Sequence, residues 1–368
     1  MNIRPQLSGQ IKRVVVKIGS AGVTEGQGPN LSRIQNLARE VQHLMDRGHE
    51  VILVSSGSIN AGRPYLTEES ADEMSALQAL SAIGQPKLMA GYQKAFDPHN
   101  LTVAQVLLTH DDMGNRHRSL NLRNTIIHLL QARIVPIVNE NDSVSYAEIT
   151  VGDNDQLAAM VAQVIDADLL VLLTGPKGLY TGDPQSPDSK IIREVAADDS
   201  LEHVNTKGKS NVGRGGMQTK LEAVRRVTPL GIPAIITTYD HLSPVISAIE
   251  GEGTLFHPAK SSDKGSRKRW IRSSAKPNAA IQVDQGASEA LKKGASLLPS
   301  GITNVLGQFK RGDNIRITYE GQTIGYGLAE YSAKEALLIA GKKSQEISTI
   351  LGSCPSKVVI HRNNLGLS

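Results

Sequence analysis

The side chains able to do chemistry in this chain fall at the ends of short apolar runs. VVVKIGS puts Lys17 at the end of a β-branched run, where Gly19 and Ser20 open a turn whose bare N–H groups can approach a phosphate. VGRGGMQTKLEAV sets Gly213, Gly215 and Gly216 ahead of a helical pattern that carries Lys220 in its first turns. A Gly-rich loop feeding a helix N-terminus favours anions through unpaired N–H groups and the helix dipole. Either segment alone reads as an ordinary strand-to-helix turn with a solvated lysine. Together, in an α/β layer, two lysines far apart in sequence favour a clamp on one phosphate chain, hence phosphoryl transfer.

Polar groups crowd three other run ends. IVPIVNEND places Asn139, Glu140, Asn141 and Asp142 just past a strand-like run, and VGDNDQLAA places Asp153, Asn154 and Asp155 at a helix start. A simple N-cap accounts for Asp153 or Asn154 but not for both loops, so some of these groups are expected to meet substrate or phosphate-bound metal. VSSGSINAG adds Ser55, Ser56, Gly57 and Ser58, small residues that suit either backbone contact with a carboxylate or tight strand-to-helix packing. Other chemistries lack support. The chain has neither a G-x-x-x-x-G-K-[ST] loop nor a G-x-G-x-x-G fingerprint, its ten histidines show no H-E-x-x-H spacing, and Cys354 in GSCPS has no base beside it. No protein-held metal site is expected. Trp270 reads as a packing anchor.

The elements that must position these groups alternate through the first 258 residues. Strand-like runs at 13–18, 51–54, 103–108, 134–138, 169–173 and 234–237 read as buried parallel strands covered on both faces by helices. In the first helical pattern Leu31, Ile34, Leu37, Ala38, Val41, Leu44 and Met45 make one apolar stripe, Asn30 or Ser32 can cap its start and Gly48 can end it. Further helices are expected over 74–96 with a break at Pro86, 119–132, 155–165 and 217–227. The expected fold is α/β, a three-layer αβα sandwich with a mainly parallel sheet. A basic, serine-rich linker spans 259–276. Residues 277–368 read as a small β-rich module, with strands in AAIQVD, NIRITY, QTIGYGLA and KVVIHR and short helices in GASEALKKG and SAKEALLIAG.

Composition sets outer bounds. With 368 residues, 39% of them hydrophobic, the chain can bury sizeable cores, and one cysteine excludes an internal disulfide and points to a reducing compartment. We expect a cytoplasmic protein without a secretory signal or membrane span. The net charge of +4 is uneven: 17 Lys and Arg face 8 Asp and Glu after Pro258, leaving −5 for the first part. A basic appendage fits polyanion binding or a positive surface kept for solubility.

VVVKIGS, VILVSSGSINAGR, IVPIVNENDSV, EITVGDNDQLAA, LLTGPKGLYTGDP and GRGGMQTKLEA, in that order, closely resemble glutamate-phosphorylating members of the amino acid kinase family. GTLFHPAK, RKRWI, ALKKGASLLPSGI, FKRGDNIRI and IAGKKSQEISTILG resemble the PUA domain attached to bacterial members. The resemblance implies transfer of the ATP γ-phosphoryl group to the γ-carboxylate of L-glutamate, with Mg²⁺, as the first step of proline synthesis. It assigns Lys17 and Lys220 to the phosphates and Asp155 to orienting them. It assigns Gly19, Thr174, Gly175 and the stretch Arg214, Gly215, Gly216, Met217, Gln218, Thr219, Lys220 to nucleotide binding, and Ser56, Asp142 and Asn154 to glutamate. It also implies feedback inhibition by proline, a homo-oligomer (dimer or tetramer) and a glutamyl phosphate reductase partner. Where family members commonly read LLTDQKGLYT and GTGGM, this chain has Gly175, Pro176 and Arg214. Two alternatives stay open: another carboxylate or carbamate acceptor, and an RNA-binding protein, through its PUA domain, with a vestigial kinase.

Overall fold

Val14, Val15 and Val16 are all fully buried, yet they face two different cores. That alternation is what a strand buried on both faces requires, and it organises the first of two units, Met1–Lys260 and Ser261–Ser368. The computed structural model describes residues 11–26, 28–66, 73–145, 154–197, 199, 216–259 and 279–367.

Eight strands form the sheet of the first unit: β1 (Arg13–Ile18), β2 (Glu50–Ser55), β3 (Val103–Leu108), β4 (Val135–Glu140), β5 (Leu169–Thr174), β6 (Glu194–Val195), β7 (Ala234–Thr238) and β8 (Thr254–Phe256). Their order is β6-β8-β7-β5-β1-β2-β4-β3. Every pairing is parallel except β7 with β8. β1 lies between β2 and β5, so the chain builds outward from it first to one side and then to the other. The carboxyl end of β1 is thus a topological switch point, where open α/β sheets bind ligands.

One face of the sheet is covered by α1 (Leu31–Asp46), α3 (Met74–Phe96) and α7 (Pro244–Glu250). The other is covered by α4 (Arg116–Gln131), α5 (Asn154–Val164) and α6 (Met217–Val227). In α1 the expected stripe is buried from Ile34 to Met45 with Leu31 half-buried, and Asn30 caps the helix by accepting from the Arg33 N–H. Each large apolar side chain buried there contributes about 1.5–3 kcal/mol.

The expected break at Pro86 is absent: α3 runs through it. One backbone bond to residue 82 is lost, but Leu80, Leu88, Tyr92 and Phe96 are buried on both sides of the proline, and a short helix, α2 (Ser58–Gly62), packs directly on α3. The contact is backbone to backbone. A Cβ on Gly84 would lie 1.8 Å from the Ser58 carbonyl oxygen, and one on Gly62 2.0 Å from that of Leu80.

The second unit holds a five-stranded sheet: β9 (Ala280–Val283), β10 (Ile302–Leu306), β11 (Asn314–Tyr319), β12 (Gln322–Leu328) and β13 (Leu365–Leu367), in the order β10-β9-β11-β12-β13. Its helices include α8 (Gln285–Lys292), capped by Asp284, and α9 (Ala333–Ile339), opened by a Ser332–Glu335 capping box. The expected strand KVVIHR is corrected to a single bridge, Leu297 with Ile360. Val359 and Ile360 are apolar because they are buried in this core, not because they pair along a ladder. Among the described residues no helix is long and apolar enough to cross a membrane.

Candidate active site

Strand parity decides where the first lysine points. Lys17 follows Val15 onto the α5/α6 face, pairing in register with Val54 and Leu172. It is 4% exposed, and its Nζ lies 2.7 Å from Oδ1 of Asp155, in the first turn of α5. Lys220, in the first turn of α6 and 5% exposed, brings its Nζ within 3.1 Å of Oδ2 of the same carboxylate. Asp155 is fully buried. Burial alone would push its carboxyl up, but the two ammonium groups override that and hold it at about 2. Burial pulls the Lys220 amine below its usual range, Asp155 pulls it back, and the charge of Lys17 lowers it again. A buried anion thus holds two cations side by side at the switch point.

Thr219 Oγ1 lies 2.8 Å from Asp155 Oδ2 and 2.9 Å from the Gly216 carbonyl, joining the end of the Gly-rich loop to the lysine pair. The remaining nucleotide-side candidates are less uniform. Gly19 caps the helical turn Ser20–Val23, and a Cβ there would sit 3.7 Å from the Lys17 amine. Thr174 and Gly175 are tied by backbone to the loop after β7: Thr174 O accepts from the Tyr239 N–H and Gly175 O from Thr238 Oγ1. A side chain at Gly175 would meet the Tyr239 hydroxyl at an ordinary 3.6 Å. Met217 packs on the core and Gln218 reaches Glu222 on the helix surface, so neither side chain joins the cluster. Arg214, Gly215, Asp153 and Trp270 lie outside the described residues.

Beside the lysines lies a buried layer of amides and hydroxyls. Asn154, the first residue of α5, donates to Ser56 Oγ at 2.8 Å, Asn139 Oδ1 at 2.9 Å and the Ser55 carbonyl at 3.1 Å. Its side chain is therefore spent across the strand ends, not on a helix cap. Asn139, on the α3 face by parity with Ile137, donates to Gln85, which donates to Gln105 on β3. The Tyr92 hydroxyl on α3 donates to Ser55 Oγ.

Asp142 closes the site on the far side. It is 1% exposed and accepts at Oδ2 from Ser81 Oγ at 2.9 Å and Ser58 Oγ at 3.2 Å. Its Oδ1 is buried and has no hydrogen-bond partner among the described residues. Burial drives the carboxyl up, the two serines oppose that, and nearby Glu140 raises it further, to about 6. Glu140 accepts from the Ser145 hydroxyl and faces His110 Nδ1 at 3.4 Å.

The structure brings together Lys17, Asp155 and Lys220, and joins Ser56 to Asn154. Ser81 and Gln85 do not stand out in the sequence because both sit inside a helical apolar pattern; their signal is polarity at positions where that pattern expects burial. The Thr219 hydroxyl meets Asp155 Oδ2 and the Gly216 carbonyl.

Among the described residues no group of three or more His, Cys, Asp or Glu side chains could hold a metal ion, and Asp155 is already engaged by two lysines. This donor set fits a Mg²⁺ that arrives on a nucleotide and keeps much of its water.

The model of the amino acid kinase family matches residues 12–238, and that of the PUA domain matches residues 279–351. The chain is 45% identical over 375 residues to a glutamate 5-kinase of Trichlorobacter lovleyi, covering 99% of both chains. It is 42% identical over 365 residues to one of Dictyoglomus thermophilum, covering 97% of both. Among solved structures, a carbamate kinase from Giardia lamblia bound to AMP-PNP shares the fold, with TM-score 0.50 and 17% identity over 67% of this chain and 98% of that one.

Proposed function

The chain belongs to the amino acid kinase family, and from that premise we propose that it transfers the γ-phosphoryl group of ATP to the γ-carboxylate of L-glutamate, as a phosphotransferase of proline biosynthesis. The observation that carries the reading is the Lys17–Asp155–Lys220 arrangement at the switch point, beside a layer of amide, hydroxyl and carboxylate groups.

The reaction joins two anions, so the site must supply fixed positive charge where charge shifts in the transition state. The γ-carboxylate, already ionised at neutral pH, attacks the γ-phosphorus; the bond to the β,γ-bridging oxygen breaks and its electron pair leaves with ADP. An acyl phosphate results, with no proton to move and no covalent enzyme intermediate. Lys17 and Lys220 neutralise the phosphoryl oxygens. Asp155 holds the two amines side by side and, in a dry setting where burial alone would favour a neutral Lys220, keeps that amine charged. Mg²⁺ enters as part of the substrate MgATP. Ser56, whose hydroxyl accepts from Asn154 and keeps its own proton to donate, takes a glutamate carboxylate with Asn154 orienting it, and Asp142 takes the ammonium group through Oδ1, which has no partner among the described residues.

Proline, with a secondary ammonium and one carboxylate, matches the ammonium and carboxylate ends of this pocket and inhibits by competing there. The active form is a homo-oligomer, and a reductase consumes the labile product. The test is ADP release from MgATP against a panel of glutamate, aspartate, acetylglutamate and carbamate. Turnover with glutamate supports the reading; turnover only with another acceptor replaces the substrate and leaves the fold.

A further inference from the structure

Asp142 lies 61 residues from Ser81 in sequence, and a dedicated contact joins them. The α2–α3 approach at Gly62 and Gly84 leaves no room for a single Cβ, so α3 packs on α2 backbone to backbone in this register. That register sets Ser81 Oγ 2.9 Å from both Ser58 Oγ and Asp142 Oδ2. Ser81 and Ser58 are buried, 3% and 2% exposed. Both hydroxyls converge on one carboxylate oxygen, while the other is buried and lacks a partner among the described residues. A carboxylate held in this way cannot swap its two oxygens by rotation without breaking two charge-assisted hydrogen bonds.

We propose that Ser81 is a positioning residue for substrate selection: with Ser58 it locks Oδ2 of Asp142, so that Oδ1 is presented to the ammonium group of the amino-acid substrate. The proposal rests on the reading of Asp142 given above and adds the means by which an α-amino group is demanded. An acceptor without a cationic amine would leave that oxygen buried and unpaired, a penalty the site levies against N-acylated or deaminated analogues. The hydroxyls also favour the ionised carboxyl, opposing burial and the charge of Glu140, which is the charged group that acts on Asp142 among the described residues. Glu140 itself is met by the Ser145 hydroxyl and His110.

The readout follows from the sign of that effect. Asp142 must be ionised to hold an ammonium group, so kcat/KM for glutamate falls as pH drops through about 6. Glutamate itself keeps one protonation state between about pH 5.5 and 7. In Ser81→Ala the acidic limb moves up by about one pH unit, and KM for glutamate at pH 7.5 rises about fivefold while KM for ATP stays within twofold. Ser81→Thr, which retains the hydroxyl, restores the wild-type limb, and Asp142→Asn abolishes it. An unmoved limb and unchanged glutamate KM in a folded Ser81→Ala overturn the proposal. So does an equal rise in both KM values with lowered Tm and no rescue by threonine, which marks Ser81 as helix packing only. Titration of the Asp142 carboxyl by carbon NMR in wild type and Ser81→Ala reads the hydrogen bonds without substrate. An unchanged midpoint there sinks the positioning role, whereas absent glutamate turnover in wild type with a raised midpoint sinks only the substrate assignment.

Discussion

Replacing Asp155 by asparagine removes one charge and leaves two buried cations facing each other. At 2.7 and 3.1 Å and an effective dielectric near 20, each contact is worth about 5–6 kcal/mol gross. Desolvation takes back most of this, and breaking such a buried pair costs about 3–5 kcal/mol net. The depressed carboxyl gives a second figure for the same interaction. Asp155 sits at about 2 in the folded protein against an ordinary 3.8, so its charge adds on the order of 2 kcal/mol above pH 4, lost as pH falls through 2. In Asp155→Asn the Lys220 amine loses the anion that holds it up and is pushed further down. A lysine whose folded pKa is depressed makes stability rise with pH, since the unfolded chain holds more protons. We therefore expect a Tm deficit against wild type that is largest at pH 6 and narrows toward pH 9. MgATP, whose phosphates replace the missing anion, narrows the gap at pH 6. Turnover falls about 10²–10³-fold, because the lysines lose their fixed positions. Thermal unfolding between pH 6 and 9 with and without MgATP, alongside ADP release, measures all of this. An Asp155→Asn protein with wild-type Tm at pH 6 and turnover within threefold would refute this electrostatic role.

Two further outcomes concern the scaffold. Glu40, 2% exposed on α1, accepts from the Ile246 N–H at the start of α7, and burial lifts its carboxyl to about 8 despite the backbone donors of Ile246 and Val245. An acid raised from 4.5 to about 8 makes folding take up a proton, so its contribution is present below pH 4.5 and fades as pH rises through 8. Glu40→Gln, which keeps the acceptor, should flatten that slope and stabilise the protein at pH 9 by a few kcal/mol, since each tenfold change in proton affinity is worth about 1.4 kcal/mol. Urea titration at pH 6 and 9 reads the difference. Gly84→Ala must move α2 off α3, since the new Cβ would stand 1.8 Å from the Ser58 oxygen. A loss of about 3 kcal/mol or more, with glutamate affinity falling before ATP affinity, is expected; a neutral substitution would show that the two helices slide freely.

Much of this was legible in the sequence, and the reasons differ by element. Runs such as RVVVKI and LLVLL were readable because both faces of a parallel strand are buried, and α1 because its stripe repeats at helical spacing beside a capping Asn30. Lys17 and Lys220 were legible as a pair because both follow strand-end or loop signals, but their convergence on Asp155 depends on strand parity across β1 and on α5 and α6 packing on the same face. Pro86 misled because a local breaker was outweighed by burial on both sides, and KVVIHR because apolar periodicity reports burial, not pairing. Ser81 and Gln85 were illegible for a different reason. Their roles depend on a helix-to-helix approach set by two glycines that contact nothing near them in sequence.

Transfer of a phosphoryl group to a glutamate carboxylate by two buried lysines and one aspartate is tested most directly by trapping the acyl phosphate with hydroxylamine. The reaction holds MgATP and glutamate, with wild type and Lys220→Ala side by side. We expect glutamate-dependent hydroxamate from wild type and a loss of at least about 10²-fold in Lys220→Ala with the fold intact by thermal unfolding. Hydroxamate formed equally by both proteins, or ADP release with no glutamate-dependent hydroxamate, would contradict it.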